Sequence, residues 1–142
     1  MERPLQEPIR VMETVHAAPV LLFGLMVGYA LLAVIAGACA VGRRSLPPWF
    51  WTLSLVALLL VALQVLVGAG LFLGGARPRR GLHLLYGVLV LAAGLVQYGL
   101  RPGGFFRRTF ARELTWDEAR AMALIALTQA ALIARAWTTG GR

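Results

Sequence analysis

Four apolar stretches, each long enough to cross a bilayer, constrain this chain more than any other feature. They run over about residues 19–41, 49–73, 82–100 and 119–137. A spanning helix needs ~20 mainly apolar residues. Backbone inside hydrocarbon must satisfy its own hydrogen bonds, which a helix does within one segment. Each stretch is bounded by residues that stop or start helices: Gly42-Arg43-Arg44, Pro47-Pro48, Gly74-Gly75, Arg79-Arg80-Gly81 and Arg101-Pro102-Gly103-Gly104. The fourth opens with Thr115-Trp116-Asp117-Glu118, whose spacing predicts a capping box between the Thr115 hydroxyl and the Glu118 carboxylate. The connections are short, so neighbouring helices are expected to run antiparallel.

The expected fold is therefore all-α: a four-helix transmembrane bundle, up-down-up-down, with both termini at one membrane face. It forms a single integral membrane domain over residues 1–142, without internal repeats. An amphipathic approach helix is expected over about 8–18, with Glu7 as its cap and Pro8 in its first turn. Pro19 then marks a kink or a fresh start. The first span exceeds the apolar core of a typical signal peptide and is expected to be retained.

Composition agrees with this class. The chain is 59 % hydrophobic and 14 % charged, whereas soluble domains carry ~25 % charged residues. It has no lysine, and its 14 basic and 6 acidic residues leave a net charge of +8. These arginines flank the apolar runs, where anionic lipid headgroups are the ordinary partner. A nucleic-acid surface with interleaved aromatics is absent once the spans are removed. The arginines divide evenly between the two faces, so the positive-inside rule assigns no orientation. Trp49, Trp51, Trp116 and Trp137 fall at span ends, as belt residues do. Phe105 to Arg112 mixes aromatics with cations in the same interfacial manner.

No Asp or Glu lies inside an expected span. Proton relays and small antiporters ordinarily titrate an intramembrane carboxylate, so transport of that kind is disfavoured. Cys39 is the lone cysteine, which excludes an intramolecular disulfide. The intramembrane polar side chains are Gln64, Gln97, Thr128 and Gln129, for which interhelical hydrogen bonding is the expected role. Gly24 with Gly28, Gln64 with Gly68, and Ala93 with Gln97 share the four-residue spacing that permits close helix approach.

The two histidines carry the chemistry. His16 precedes the first span and His83 opens the third, so both belong to the same membrane face. A histidine beside hydrocarbon is costly without a partner. Two at one depth on different helices could ligate a single haem iron. Gly24, Gly68 and Gly87 would leave room for a flat macrocycle. Arg77, Arg79 and Arg80 could pair with propionate carboxylates. Zinc is less suited, because structural zinc sites ordinarily take four ligands.

At Gln64-Val65-Leu66-Val67-Gly68 and Leu82-His83-Leu84-Leu85-Tyr86-Gly87 the chain resembles a group of small bacterial four-helix membrane proteins. These carry a histidine opening helix one, Gln-x-x-x-Gly in helix two and a histidine early in helix three. The pattern is similar to the haem-binding half-bundles of haem A synthase and of membrane b-type cytochromes. The resemblance spans helices one to three and implies axial ligation by His16 and His83, with packing roles for Gln64 and Gly68. It also implies a bacterial cytoplasmic membrane. Haem A synthase and di-haem cytochromes supply more histidines, and Leu82 stands where an acidic residue often precedes a histidine in haem A synthase. The expectation is thus at most one bis-histidine haem b, without chemistry on the macrocycle. The expected role is single-electron transfer, as a small b-type-cytochrome-like protein or a haem-carrying accessory subunit of a respiratory complex. The alternative is a cofactor-free structural or assembly subunit, a homo-oligomer included.

Overall fold

The computed structural model describes residues 19–75, 81–110 and 117–140. Within them lie five helices: α1 (Pro19–Val41), α2 (Pro48–Leu73), α3 (Leu82–Gly99), α4 (Phe105–Phe110) and α5 (Glu118–Gly140). All except α4 are long and apolar enough to cross a membrane. The approach helix expected over 8–18 lies outside the described residues.

The four long helices form an antiparallel bundle. α1 packs along α5, α5 along α3, and α3 along α2, whereas the α1–α2 seam is the slightest. Among the described residues the backbones of α1 and α3 do not approach within 8 Å, nor do those of α2 and α5, so these pairs stand on the diagonals.

Why these faces turn inward follows from the helical period of ~3.6 residues. Leu25, Tyr29, Leu32, Ala36 and Ala40 are buried on α1, three or four residues apart. Phe50, Ser54, Leu58, Val61 and Gln64 make the same stripe on α2. Val90, Gly94 and Gln97 do so on α3. On α5 the stripe is Ala119, Met122, Ala126, Gln129, Ala130 and Ile133. The opposite faces expose Phe23, Val34, Leu59, Leu66, Val88 and Leu127. In lipid such exposure carries no hydrophobic penalty, so packing rests on van der Waals fit and polar contacts.

The ends are closed by local chemistry. Pro47 and Pro48 open α2, where a missing amide hydrogen costs nothing because no helical acceptor precedes it. The α1–α2 turn places Arg43 in a left-handed conformation with φ 51°. At α5 the cap is Asp117, whose Oδ1 accepts the Arg120 amide at 3.1 Å. The Glu118 carboxylate binds Arg107 at 3.0 Å. Thr115 lies outside the described residues. The Arg101 guanidinium stacks over the Tyr98 ring at 4.1 Å and donates to the Tyr98 carbonyl at 3.1 Å. A cation there also complements the negative end of the α3 dipole.

The interfacial segment expected at Phe105–Arg112 contains α4, and it is more than a belt. Phe106 lays its ring against Gly99, where no Cβ would fit. Gly103, at φ 74°, turns the chain so that α4 folds back onto the end of α3. Arg107 then reaches Glu118 and ties α4 to the start of α5.

Candidate functional site

His83 stands in the first turn of α3, half-buried. Its Nδ1 lies 3.0 Å from the backbone carbonyl oxygen of Ala136, near the end of α5. A carbonyl only accepts, so Nδ1 is the donor. In the neutral ring the lone pair then belongs to Nε2. This is the arrangement that metal-bound histidines use: one nitrogen is anchored to a carbonyl, which fixes the tautomer and the ring plane. The antiparallel pairing of α3 with α5 creates it, because the start of one helix meets the end of the other.

One turn further along α3, on the same side, is Gly87. A Cβ built there would meet nothing within 4 Å, so the helix surface beside His83 is open at that level. Gly24 is open in the same sense. It lines an apolar groove of about 660 Å³ between α1 and α2, together with Gly28, Leu31, Ile35, Val56 and Leu60. Neither Gly68 nor Gly87 lines that groove, so it does not gather the three glycines into one cradle. Gly68 is half-buried on α2. His16, Arg77, Arg79 and Arg80 lie outside the described residues. No group of three or more His, Cys, Asp or Glu side chains with metal-binding geometry occurs among the described residues.

Of the donors a haem would take, the described residues contain His83, an imidazole with one nitrogen tied to a carbonyl. A bis-histidine haem would ask for two imidazoles; the described one, His83, has its Nδ1 held by the Ala136 carbonyl. Four residues of the expected site, His83, Gly87, Gly24 and Gly68, fall among the described residues; the first two share one face of α3, while Gly24 lines the α1–α2 groove.

A second polar region was only partly anticipated. Gln97 and Gln129 were expected to hydrogen-bond between helices. Both are buried, yet Gln97 Nε2 and both amide atoms of Gln129 have no hydrogen-bond partner among the described residues. The same holds for the Tyr29 hydroxyl. Their helix faces carry them inward, into a core whose buried members include Leu58, Met122 and Ala126, which offer only carbon and sulfur. By contrast Ser54 donates to the Phe50 carbonyl at 2.9 Å and Thr128 to the Leu124 carbonyl at 2.9 Å. Short hydroxyl side chains find the preceding turn of their own helix, which glutamine at these positions does not. Tyr29 and Gly94 were not singled out from sequence, although Gly94 shares the Val90–Gln97 stripe.

The class is therefore a multi-pass helical membrane protein, a four-helix bundle in which, among the described residues, a carbonyl-anchored histidine stands at one end and buried polar groups without partners lie inside. No family model, curated protein or solved structure matches the chain.

Proposed function

We propose that this chain is a small b-type-cytochrome-like protein of the bacterial cytoplasmic membrane, or a haem-carrying accessory subunit of a respiratory complex, that passes single electrons. The hydrogen bond from His83 Nδ1 to the Ala136 carbonyl carries this proposal. It supports the role because it holds the ring and its tautomer as an axial ligand requires. His83 and His16 would hold one haem b, with Gly87 and Gly24 leaving their helices bare beside it and Gly68 packing behind. Arg77, Arg79 and Arg80 would meet its propionates. The group supplies a one-electron couple whose potential responds to burial and nearby charge. Two imidazole ligands would leave no position for a third, and the protein's own work would be to hold, orient and shield the group.

The test is an optical spectrum of the detergent-purified protein, oxidised and then reduced with dithionite, with pyridine haemochrome quantitation. A sharp reduced α band and about one haem per chain, the amount a single bis-histidine site implies, is the expected result. A protein that stays colourless after expression with added haem would overturn it. His83→Ala is expected to lose the haem while circular dichroism still reports a helical bundle.

One observation favours the second reading, a structural or assembly subunit. Gly24 and Gly28 form a G-x-x-x-G pair whose Cβ positions are both open, and such pairs are frequent where membrane helices associate. Anionic lipid, a larger complex or a second copy would be its partners. A colourless protein that migrates as a stable assembly in native gels would favour it over haem binding.

A further inference from the structure

We propose that the turn after α1 and the start of α5 form a binding site for the phosphate headgroup of an anionic phospholipid, held by Arg43 and Arg44. A cavity of about 310 Å³ lies where these two segments meet, with Cys39, Arg43, Arg44, Ser45, Asp117 and Glu118 in its wall. That volume is at the lower end of the ~300–1,000 Å³ usual for small-ligand sites. The spans fix its depth. α1 ends at Val41, α2 starts at Pro48 and α5 starts at Glu118, so the cavity stands where hydrocarbon gives way to headgroups. Trp49, exposed in the first turn of α2, marks the same level.

Charge selects the ligand. Both carboxylates in the wall are already paired: Asp117 Oδ2 lies 3.1 Å from Arg120 Nε, and Glu118 Oε2 lies 3.0 Å from Arg107 Nη1. Asp117 Oδ1 also accepts the Arg120 amide, so the start of α5 is capped from within. Arg43 and Arg44 make no ion pair among the described residues. Two positive charges are therefore left over, and guanidinium forks match phosphate oxygens. The backbone presents them. The Arg43 amide donates to the Ala40 carbonyl at 3.2 Å and the Arg44 amide to the Cys39 carbonyl at 2.8 Å. This is the Schellman ending of a helix, whose left-handed residue is ordinarily glycine. Here that residue is Arg43, at φ 51°, although Gly42 directly precedes it. The Arg44 stem folds over Gly42, with Cγ and Cδ each 3.7 Å from where a Cβ would stand. Free phosphate has the same chemistry, but a lipid also brings acyl chains, which suit the exposed Val34 and Val41 of α1.

The experiment is native mass spectrometry of the full chain in detergent, titrated with phosphatidylglycerol and, separately, with zwitterionic phosphatidylcholine. The expected result is preferential retention of phosphatidylglycerol, weakened about fivefold by Arg44→Gln and about fivefold by Arg43→Gly, as for the loss of one arginine at an anionic surface. Arg43→Gly should at the same time raise the thermal midpoint, because glycine suits the left-handed turn. Lipid affinity unchanged in both variants would overturn the proposal, leaving the arginines to complement the negative end of the α1 dipole. Arg108→Gln removes an exposed arginine of α4 at the same membrane face and should change affinity by less than about twofold. An equal loss there would overturn the site in favour of diffuse charge. So would phosphatidylcholine held as tightly, or phosphatidylglycerol displaced by millimolar inorganic phosphate, which would make the ligand a free anion. Should Arg44→Gln fail to fold, Arg43→Gly decides the matter alone.

Discussion

α1 makes two seams of opposite character. Against α5, the helix farthest from it in sequence, it closes tightly: Tyr29, Ala36, Met122 and Ala126 are fully buried there. Against α2, its immediate neighbour in sequence, it diverges around a groove lined by Gly24, Gly28 and branched or long aliphatic side chains. Both seams contain small residues. What differs is what stands opposite them. On the α5 side, alanines of one helix face alanines and a flexible methionine of the other, so backbones approach. On the α2 side, Leu53, Val56 and Leu60 line the groove without reaching the glycines, whose Cβ positions have nothing within 4 Å. Between membrane helices there is no solvent to expel, so close approach rests on matched surfaces and not on apolarity.

This contrast is best broken by overfilling the tight seam. Ala126→Leu is expected to destabilise the bundle by about 3 kcal/mol, at the upper end for overpacking, read as a lower midpoint in a denaturing-detergent titration. Gly94→Ala comes next. A methyl there must displace Leu58 and Gln129, and a loss of ~1–2 kcal/mol is expected in the same titration. Arg107→Ala removes a partly exposed ion pair with Glu118. Its effect should stay under ~1 kcal/mol and shrink further in high salt. The smallest effect belongs to the open seam. Gly28→Ala meets nothing within 4 Å, so its midpoint should move by no more than ~0.5 kcal/mol. A large loss there would show that the groove is filled in the native membrane, and the two seams would then be alike.

The four spans were legible because hydropathy and the Gly, Pro and Arg boundaries report them directly. Their ends show where that signal fades. α5 continues to Gly140, beyond the apolar stretch that ends near Trp137. Thr138 and Thr139 hydroxyls take up the Arg135 and Ala136 carbonyls, so polar residues extend the helix that hydropathy would close. The His83 anchor was not legible, since its acceptor is a backbone carbonyl that every residue possesses. Nor does a glycine's spacing say whether a neighbour covers it. Gly94 and Gly99 are covered by Leu58 and Phe106, whereas Gly24 and Gly28 are not. That distinction depends on which side chains the other helices present, and so on the assembled bundle.

The unequal lengths of α2 and α3 bear on the membrane itself. α2 has 26 residues and α3 has 18, or ~39 Å and ~27 Å of helix at 1.5 Å per residue. Typical hydrocarbon is ~30 Å thick. One flank of the protein is thus suited to tilting or to a thick bilayer, and the other to a thin one, where α4 folds over the end of its short neighbour. The longest and shortest spans thus stand side by side, and membranes of differing lipid length would tilt them differently.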